Sequence, residues 1–244
     1  MKWVGVVGVC VLSVAGTMQA QESFRASRFL HTASMVQTAA ETTASSLRFG
    51  VSGGMGVDYV NAQDVVDYIN GVVGAGGRVP DFKAGVEFFA AATVPISEEW
   101  GLKIEYAYFL MSFNAPGALD VMEFTCVAHM PTLIGQYVLA DEGVYNLKAG
   151  LGVGYHFGSL SEKSSLVNDT RSGTGIGTIL DLEANTAFSD DFFGYFGADL
   201  RWEFIGELNG ARTPVAGSLF PTPSLHFFSV GARFGFTYYF SPSI

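Results

Sequence analysis

The chain has 244 residues, enough for a single domain, and a formal net charge of −10. Nucleic acid is excluded as a partner, because its phosphates are bound by clusters of lysine and arginine that an acidic chain does not supply. The mean hydropathy is positive at +0.30, yet past residue 20 no run of about 18 apolar residues could form a membrane helix. Apolar residues spread in alternating runs instead favour membrane-crossing strands.

The first 20 residues have the pattern of a cleaved secretory signal peptide. Lys2 is the basic residue, residues 4–15 form the apolar core, and Ala20 precedes the expected cleavage point. Cys10 lies inside the apolar core, so removal of the signal leaves Cys126 as the only cysteine. The mature chain therefore forms no intramolecular disulfide.

Residues 21–46 are rich in Ala, Ser and Thr and break the strand pattern. They are interpreted as a periplasmic N-terminal segment. Both a mobile tail and a helix that plugs a barrel remain open for this segment.

Eight two-faced strands are predicted after this segment. In residues 101–111, Leu102, Ile104 and Tyr106 alternate with Lys103 and Glu105. Such a period of two places the apolar and the charged side chains on opposite faces of a strand. The predicted strands are 47–60, 83–96, 101–113, 121–139, 145–160, 174–188, 192–208 and 225–240.

The connections between these strands alternate in length. Tight polar turns are predicted near 97–100, 141–143 and 189–191, and longer loops at 61–82, 161–173 and 209–224, with an intermediate one at 114–120. This alternation of short turns and longer loops predicts an all-β fold over residues 47–240, an eight-stranded antiparallel up-and-down transmembrane β-barrel. Both termini would lie on the periplasmic side.

The apolar faces are too bulky to fill the inside of such a barrel, because an eight-stranded interior holds about a dozen packed side chains. They are therefore predicted to face lipid. This set includes Phe49, Tyr59, Phe88, Tyr106, Tyr108, Phe124, Tyr155, Phe157, Phe196, Trp202, Phe204, Phe228, Phe234, Phe236, Tyr238 and Phe240.

The polar faces are predicted to line the lumen and to plug it with ion pairs, since an unpaired buried charge is costly. The predicted network comprises Arg48, Lys83, Glu87, Lys103, Glu105, Glu123, Lys148, Asp181, Glu183, Asp199, Arg201, Glu203 and Arg233, and Asp58, His129 and His156 share the same faces. In the fourth strand the apolar parity changes at Pro131, which predicts a β-bulge there.

The last strand carries the pattern Arg233-x-Gly235-x-x-Tyr238-x-Phe240. It resembles the terminal assembly signal of small outer-membrane β-barrels of the OmpA transmembrane, OmpX and OmpW type. The resemblance implies export with periplasmic chaperones, insertion by the outer-membrane assembly machinery, and contact with outer-membrane lipid and lipopolysaccharide. The tail of residues 241–244 departs from the family, whose members commonly end at the aromatic residue.

The leading functional hypothesis is a structural or surface-interacting barrel without enzymatic activity, cofactor or metal. One alternative is a narrow channel for small hydrophobic molecules, with an upper pocket formed by Phe109, Met111, Phe113, Phe204, Phe220, Phe227 and Phe228. A second is a lipid-modifying enzyme similar to lipid A deacylases, with His226 and Ser224 or Ser229 as candidates. Two lumen histidines, His129 and His156, lack the close spacing typical of a metal site.

Overall fold

The computed structural model describes residues 48–73, 78–116, 121–165, 168–210 and 222–240. The predicted signal peptide, the segment 21–46 and the tail 241–244 lie outside these residues. The strands are β1 Phe49–Asn61, β2 Phe82–Pro95, β3 Trp100–Pro116, β4 Val121–Asp141, β5 Tyr145–Lys163, β6 Asn168–Ala187, β7 Phe192–Glu207, β8 Asn209–Gly210 and β9 Ser224–Phe240, and one helix, α1, spans Gln63–Val73.

Eight long strands close into a ring. Each strand from β1 to β6 pairs antiparallel with the next, and β9 pairs with both β7 and β1. The seam runs in register from Phe49 opposite Phe240 to Asn61 opposite Phe228. The two-residue β8 adds a short pairing to β6. The predicted eight-stranded antiparallel barrel is thereby confirmed.

The hairpin of β5 and β6 is longer than the sequence predicts. The predicted loop covers 161–173, but residues 161–163 continue β5 and residues 168–173 belong to β6, with Ser161 opposite Thr170 and Glu162 opposite Asp169. The prediction was wrong because it used apolar alternation to mark strands. In this extension the outward residues are polar, among them Ser161, Thr170 and Ser172, so the strands lack the apolar alternation.

The predicted bulge at Pro131 is also wrong. Pro131 lies opposite Tyr106 in an unbroken β3–β4 register, and the pairing with β5 keeps the same register on both sides of it. The irregularity lies between Val138 and Ala140 instead. Proline removes one donor from the ladder without needing an extra residue, so the direction of the side chains does not change at this point.

Continuous alternation along β4 changes which residues face inward. Phe124, predicted to face lipid, is fully buried. Glu123 is exposed and His129 is half-buried on the outer face, although both were predicted to face the lumen. The error follows directly from the expected change of face at Pro131.

A broad apolar belt covers the outside of the barrel. On β5 it runs from Tyr145 to Phe157, and Leu151 in its middle is 66% exposed. Twelve residues rise about 40 Å along a strand, or roughly 28 Å at a tilt of about 45°, close to the height of a hydrocarbon layer. A closed ring with such a belt is an integral membrane barrel of the outer-membrane type.

Among the residues that the structure describes, no helix has the length and apolar character needed to cross a membrane.

Close approach of β1 and β9 makes Gly54 sensitive to substitution. A Cβ atom at Gly54 would lie 2.2 Å from the backbone oxygen of Phe234 and 2.7 Å from the Cα atom of Gly235. We expect Gly54→Ala to lower the free energy of unfolding by about 1–3 kcal/mol, because backbone atoms at the seam have to move apart. Urea unfolding of the refolded barrel in detergent measures this change.

Gly101→Ala is the matched control for this substitution. A Cβ atom at Gly101 would lie 3.6 Å from its nearest neighbours, an ordinary contact distance. We expect its stability to stay within about 0.5 kcal/mol of the original chain. Equal effects of the two substitutions would show that the seam is not closely packed.

Candidate functional site

The lumen has a charged layer towards the end with the short turns, here called the lower end. Arg201 is fully buried in it and contacts three carboxylates. Its Nε lies 2.9 Å from Asp199 Oδ2, and its Nη2 lies 3.1 Å from Glu87 Oε2 and 3.0 Å from Glu105 Oε1. One guanidinium from β7 thus joins carboxylates of β2, β3 and β7 across the barrel.

Arg233 of β9 binds the same three carboxylates from the other side. Its Nη2 lies 2.6 Å from Glu87 Oε1, its Nη1 lies 3.0 Å from Glu105 Oε2, and its Nε lies 3.2 Å from Asp199 Oδ1. Planar guanidinium groups with several fixed donors suit such shared pairing. The two arginines and three carboxylates form a cross-link through the centre of the lumen.

Two lysines extend the charged layer downwards. Lys103 Nζ lies 2.5 Å from Asp181 Oδ2 and 3.1 Å from Glu183 Oε2. Lys148 Nζ lies 3.4 Å from Glu183 Oε1 and donates to the hydroxyl of Tyr239 at 3.0 Å. Glu183 therefore joins two cations, which fixes β6 to β3 and β5.

The contact between His156 and Glu203 forms the upper limit of this layer. His156 Nδ1 lies 2.5 Å from Glu203 Oε2, and its Nε2 lies 3.1 Å from the hydroxyl oxygen of Thr132. Both ring nitrogens therefore have polar neighbours, as a buried imidazole requires. The described part of the chain contains no group of three or more His, Cys, Asp or Glu residues placed to hold a metal ion.

Three members of the predicted network lie elsewhere. Arg48 contacts Asp191 in the turn between β6 and β7. The ammonium of Lys83 lies 5.8 Å from the ring centre of Phe113. Glu123 is exposed and lies opposite Lys163 in the β4–β5 pairing. The structure brings the other ten together in the lumen: Glu87, Lys103, Glu105, Lys148, Asp181, Glu183, Asp199, Arg201, Glu203 and Arg233.

Above the charged layer the lumen becomes apolar, and α1 fills it. The helix buries Val65, Val66, Ile69 and Val73. These side chains join inward-facing residues of the strands in one buried cluster, here called the upper cluster. Its strand members include Phe109, Met111, Phe113, Phe124, Cys126, Leu160, Ile205, Leu225 and Phe227. The helix therefore closes the barrel at its upper end.

Polar contacts hold α1 at two sides. Near its start, Asp64 Oδ2 accepts a hydrogen bond from Ser224 Oγ at 2.6 Å and lies 2.9 Å from His226 Nδ1, both on β9. Further along, the Tyr68 hydroxyl donates to Glu162 of β5. Burial and the Glu162 carboxylate raise the pKa of Tyr68 well above its ordinary value, so the phenol stays a neutral donor.

The sequence did not reveal this helix, although a signal for it is present. Val65, Val66, Ile69 and Val73 follow the spacing of an amphipathic helix, and Asp64 supplies an acidic residue in its first turn. The segment was predicted to be a long loop because it lies between two strands of an alternating pattern.

The candidate enzyme residues meet at one place without forming a catalytic arrangement. Ser224 and His226 both contact Asp64, but the serine hydroxyl donates to the carboxylate and not to the imidazole. Nucleophilic catalysis needs a base that accepts the serine proton while a third group orients that base. Ser229 is buried on the inner face of β9, opposite the exposed His226.

The two histidines considered together for a metal site lie on opposite faces of the sheet. His156 points into the lumen, whereas His129 Nδ1 lies 2.6 Å from the Tyr106 hydroxyl on the outer face. No metal ion could bind both.

No protein-family model and no curated protein match this chain. Among solved structures, the chain is similar to Neisserial surface protein A, with 12% identity, a TM-score of 0.50, and coverage of 79% of this chain and 97% of that one. Ail, the attachment invasion locus protein of Yersinia pestis in complex with a heparin analogue, is 12% identical, with a TM-score of 0.46 and coverage of 80% and 99%. The outer-membrane protease OmpT of Escherichia coli is 9% identical, with a TM-score of 0.44 and coverage of 82% and 99%.

Proposed function

We propose that this chain, which has the fold of the small outer-membrane β-barrels, is a closed barrel of a Gram-negative outer membrane with a structural and surface-interacting role. The filled lumen carries this proposal. A charged layer centred on Arg201 and Arg233 lies below an apolar layer closed by α1. Two unlike layers block the same passage, so the lumen serves as a rigid core.

The upper end faces the exterior in this proposal, and its strands form the displayed surface. On β5 the outward residues change from Tyr155 and Phe157 to Ser159 and Ser161, and on β6 they include Thr170. Aromatic residues mark the edge of the hydrocarbon layer in such barrels. The hydroxyl groups that follow Phe157 therefore lie above this layer in the proposal. The β5–β6 hairpin therefore presents a rigid sheet at the depth of lipopolysaccharide sugars.

Assembly follows the usual route of such barrels in this proposal. The signal peptide and periplasmic chaperones serve export, and Arg233, Gly235, Tyr238 and Phe240 serve as the assembly signal. Arg233 then has two roles, because its side chain also binds the lumen carboxylates.

Passage of small hydrophobic molecules is the second candidate function, supported by the apolar character of the upper lumen. Phe109, Met111, Phe113 and Phe227 belong to the upper cluster. Phe204 is exposed on the outer face, the ring of Phe228 contacts that of Trp202 there at a tilt of 46°, and Phe220 lies outside the described residues. Since α1 and the charged layer fill the lumen, passage requires both to move.

Single-channel recording in a planar bilayer tests the closed lumen. We expect the refolded chain to be silent, because ion pairs cross the lumen in the charged layer. A variant in which eleven Gly and Ser residues replace residues 63–73 tests whether the charged layer closes the lumen without α1. It should also be silent, since the charged layer remains in place without α1.

Discrete current steps from the original chain would contradict the closed-lumen proposal. Steps from the linker variant alone would show that α1, and not the charged layer, closes the passage. Heat-shifted electrophoresis of each sample confirms that the protein in the bilayer is folded.

A further inference from the structure

We propose that α1 is a releasable stopper, a hinged helix that closes the upper cluster and is locked by the contact between Tyr68 and Glu162. This goes beyond a closed structural barrel, because it gives the upper end two states, one closed and one open. The open state exposes an apolar chamber to the exterior while the charged layer below stays intact.

The hinge lies at Ala62. It is the only residue between the end of β1 at Asn61 and the start of α1 at Gln63. The Ala62 carbonyl accepts a hydrogen bond from the Val66 amide at 3.0 Å, so the helix begins directly at this point. The start of α1 therefore stays close to the barrel wall, and in this proposal the helix pivots at Ala62 when it leaves the lumen.

The lock lies one turn further along the helix, against the extended hairpin. The Tyr68 hydroxyl donates to Glu162 Oε1 inside the structure. Arg171 of β6 stands over the Tyr68 ring with its guanidinium carbon 5.3 Å from the ring centre. Its Nε lies 3.8 Å from Glu162 Oε1 and 3.4 Å from Asp169 Oδ2, which holds the acceptor in place.

The extension of β5 and β6 positions Glu162 for its contact with Tyr68. Glu162 and Asp169 face each other across the hairpin and point inward, above the aromatic row that ends at Phe157. A flexible loop in place of the hairpin would not hold Glu162 at the position of the phenol. The hairpin is thus the fixed part of the lock and α1 the moving part.

Apart from its apolar face, α1 is held by few polar contacts. An eleven-residue helix is marginal alone, so its order depends on packing. The Asp64 and His226 side chains are 44% and 48% exposed, and an exposed pair of this kind contributes little to stability. The Val79 amide donates to Asn70 Oδ1 at 2.8 Å in a partly buried contact. The Tyr68 contact is the fully buried polar contact between α1 and the strands.

A native thiol reports the open state. Cys126 of β4 is fully buried and belongs to the upper cluster together with the apolar face of α1. A thiol reagent reaches it only after opening, so the labelling rate measures the open population when closing is faster than labelling. Replacement of Cys10 by serine leaves Cys126 as the single thiol in the full chain.

The test compares two Tyr→Phe variants in this background, refolded into lipid vesicles. Tyr68→Phe removes the hydroxyl of the lock and keeps the ring. Tyr155→Phe is the matched control, because its hydroxyl donates to Thr174 at 2.7 Å on the outer face, away from α1. We expect Cys126 labelling to rise about tenfold in Tyr68→Phe, which corresponds to ~1.4 kcal/mol, and to stay unchanged in Tyr155→Phe.

Global unfolding is measured in the same samples by heat-shifted electrophoresis. A tenfold rise in labelling with an unchanged folded band supports the stopper. The proposal is overturned if Tyr68→Phe labels at the rate of the original chain, or if Tyr155→Phe accelerates labelling equally. It is also overturned if labelling in every variant follows global unfolding, since α1 then has no separate open state.

Discussion

Arg201→Met is expected to lower the free energy of unfolding by about 3–5 kcal/mol. Methionine replaces the aliphatic stem but not the guanidinium, so Glu87, Glu105 and Asp199 each lose one of the cations that pair with them. Arg233 remains within 3.2 Å of all three, which limits the loss without replacing the missing donors. Urea unfolding of the refolded barrel, followed by tryptophan fluorescence, measures the change.

Arg48→Met is the control for this prediction. Arg48 also contacts a carboxylate, that of Asp191, but its side chain is 29% exposed in the turn region. We expect a loss of about 0–1 kcal/mol, because a partly exposed pair is screened by water. Comparable losses in both variants would contradict a central role for the charged layer and would point to a general effect of removing charge.

Leu151→Arg is expected to cost about 2–4 kcal/mol in a lipid bilayer, the second large effect. Leu151 lies halfway between Tyr145 and Phe157 on the outer face of β5, so the new guanidinium would lie near the middle of the hydrocarbon layer. Equilibrium unfolding from lipid vesicles measures the loss. In a detergent micelle the same substitution should cost less, because water and detergent headgroups approach the barrel wall.

Ser159→Arg tests the depth of the membrane on the same strand and the same face. Ser159 lies two residues beyond Phe157 and points outward. We expect a change of about 0–1 kcal/mol, since charged side chains near the interface cost little. A loss as large as that of Leu151→Arg would mean that the β5–β6 hairpin lies inside the hydrocarbon layer, against its proposed position above the membrane.

Much of the barrel was predictable because alternation is a local property. A strand with Lys103 and Glu105 on one face and Ile104 and Tyr106 on the other carries its orientation in its own residues. Where the local pattern changed at Pro131, the prediction failed. The local sequence shows the proline but not the register in which β4 pairs with β3 and β5. That register continues across Pro131 and keeps Phe124 in the lumen.

Strand parity set the predicted direction of each side chain in the lumen network. Charges on a regular strand, such as Arg201 or Glu183, have only one way to face, so their presence in the lumen followed from parity. Arg48 lies at the end of a strand, where parity gives no direction, and Glu123 precedes the change of face that was wrongly expected at Pro131. Which carboxylate pairs with which cation depends on distances across the barrel, and no local pattern records those.

The sequence by itself determined the eight strands, the two faces of all of them except the first half of β4, and the short turns between them, because each depends on residues within about 20 positions of one another. Only the tertiary structure decided that α1 folds back into the barrel. The apolar face of a helix does not by itself specify which surface it packs against, and here that surface exists only once the strands have closed. Val66 and Ile69 meet Phe124 and Leu160 in one cluster, and Tyr68 meets Glu162 across 94 positions. These long-range contacts arise from closure of the ring, which brings the ends of distant strands to a single mouth.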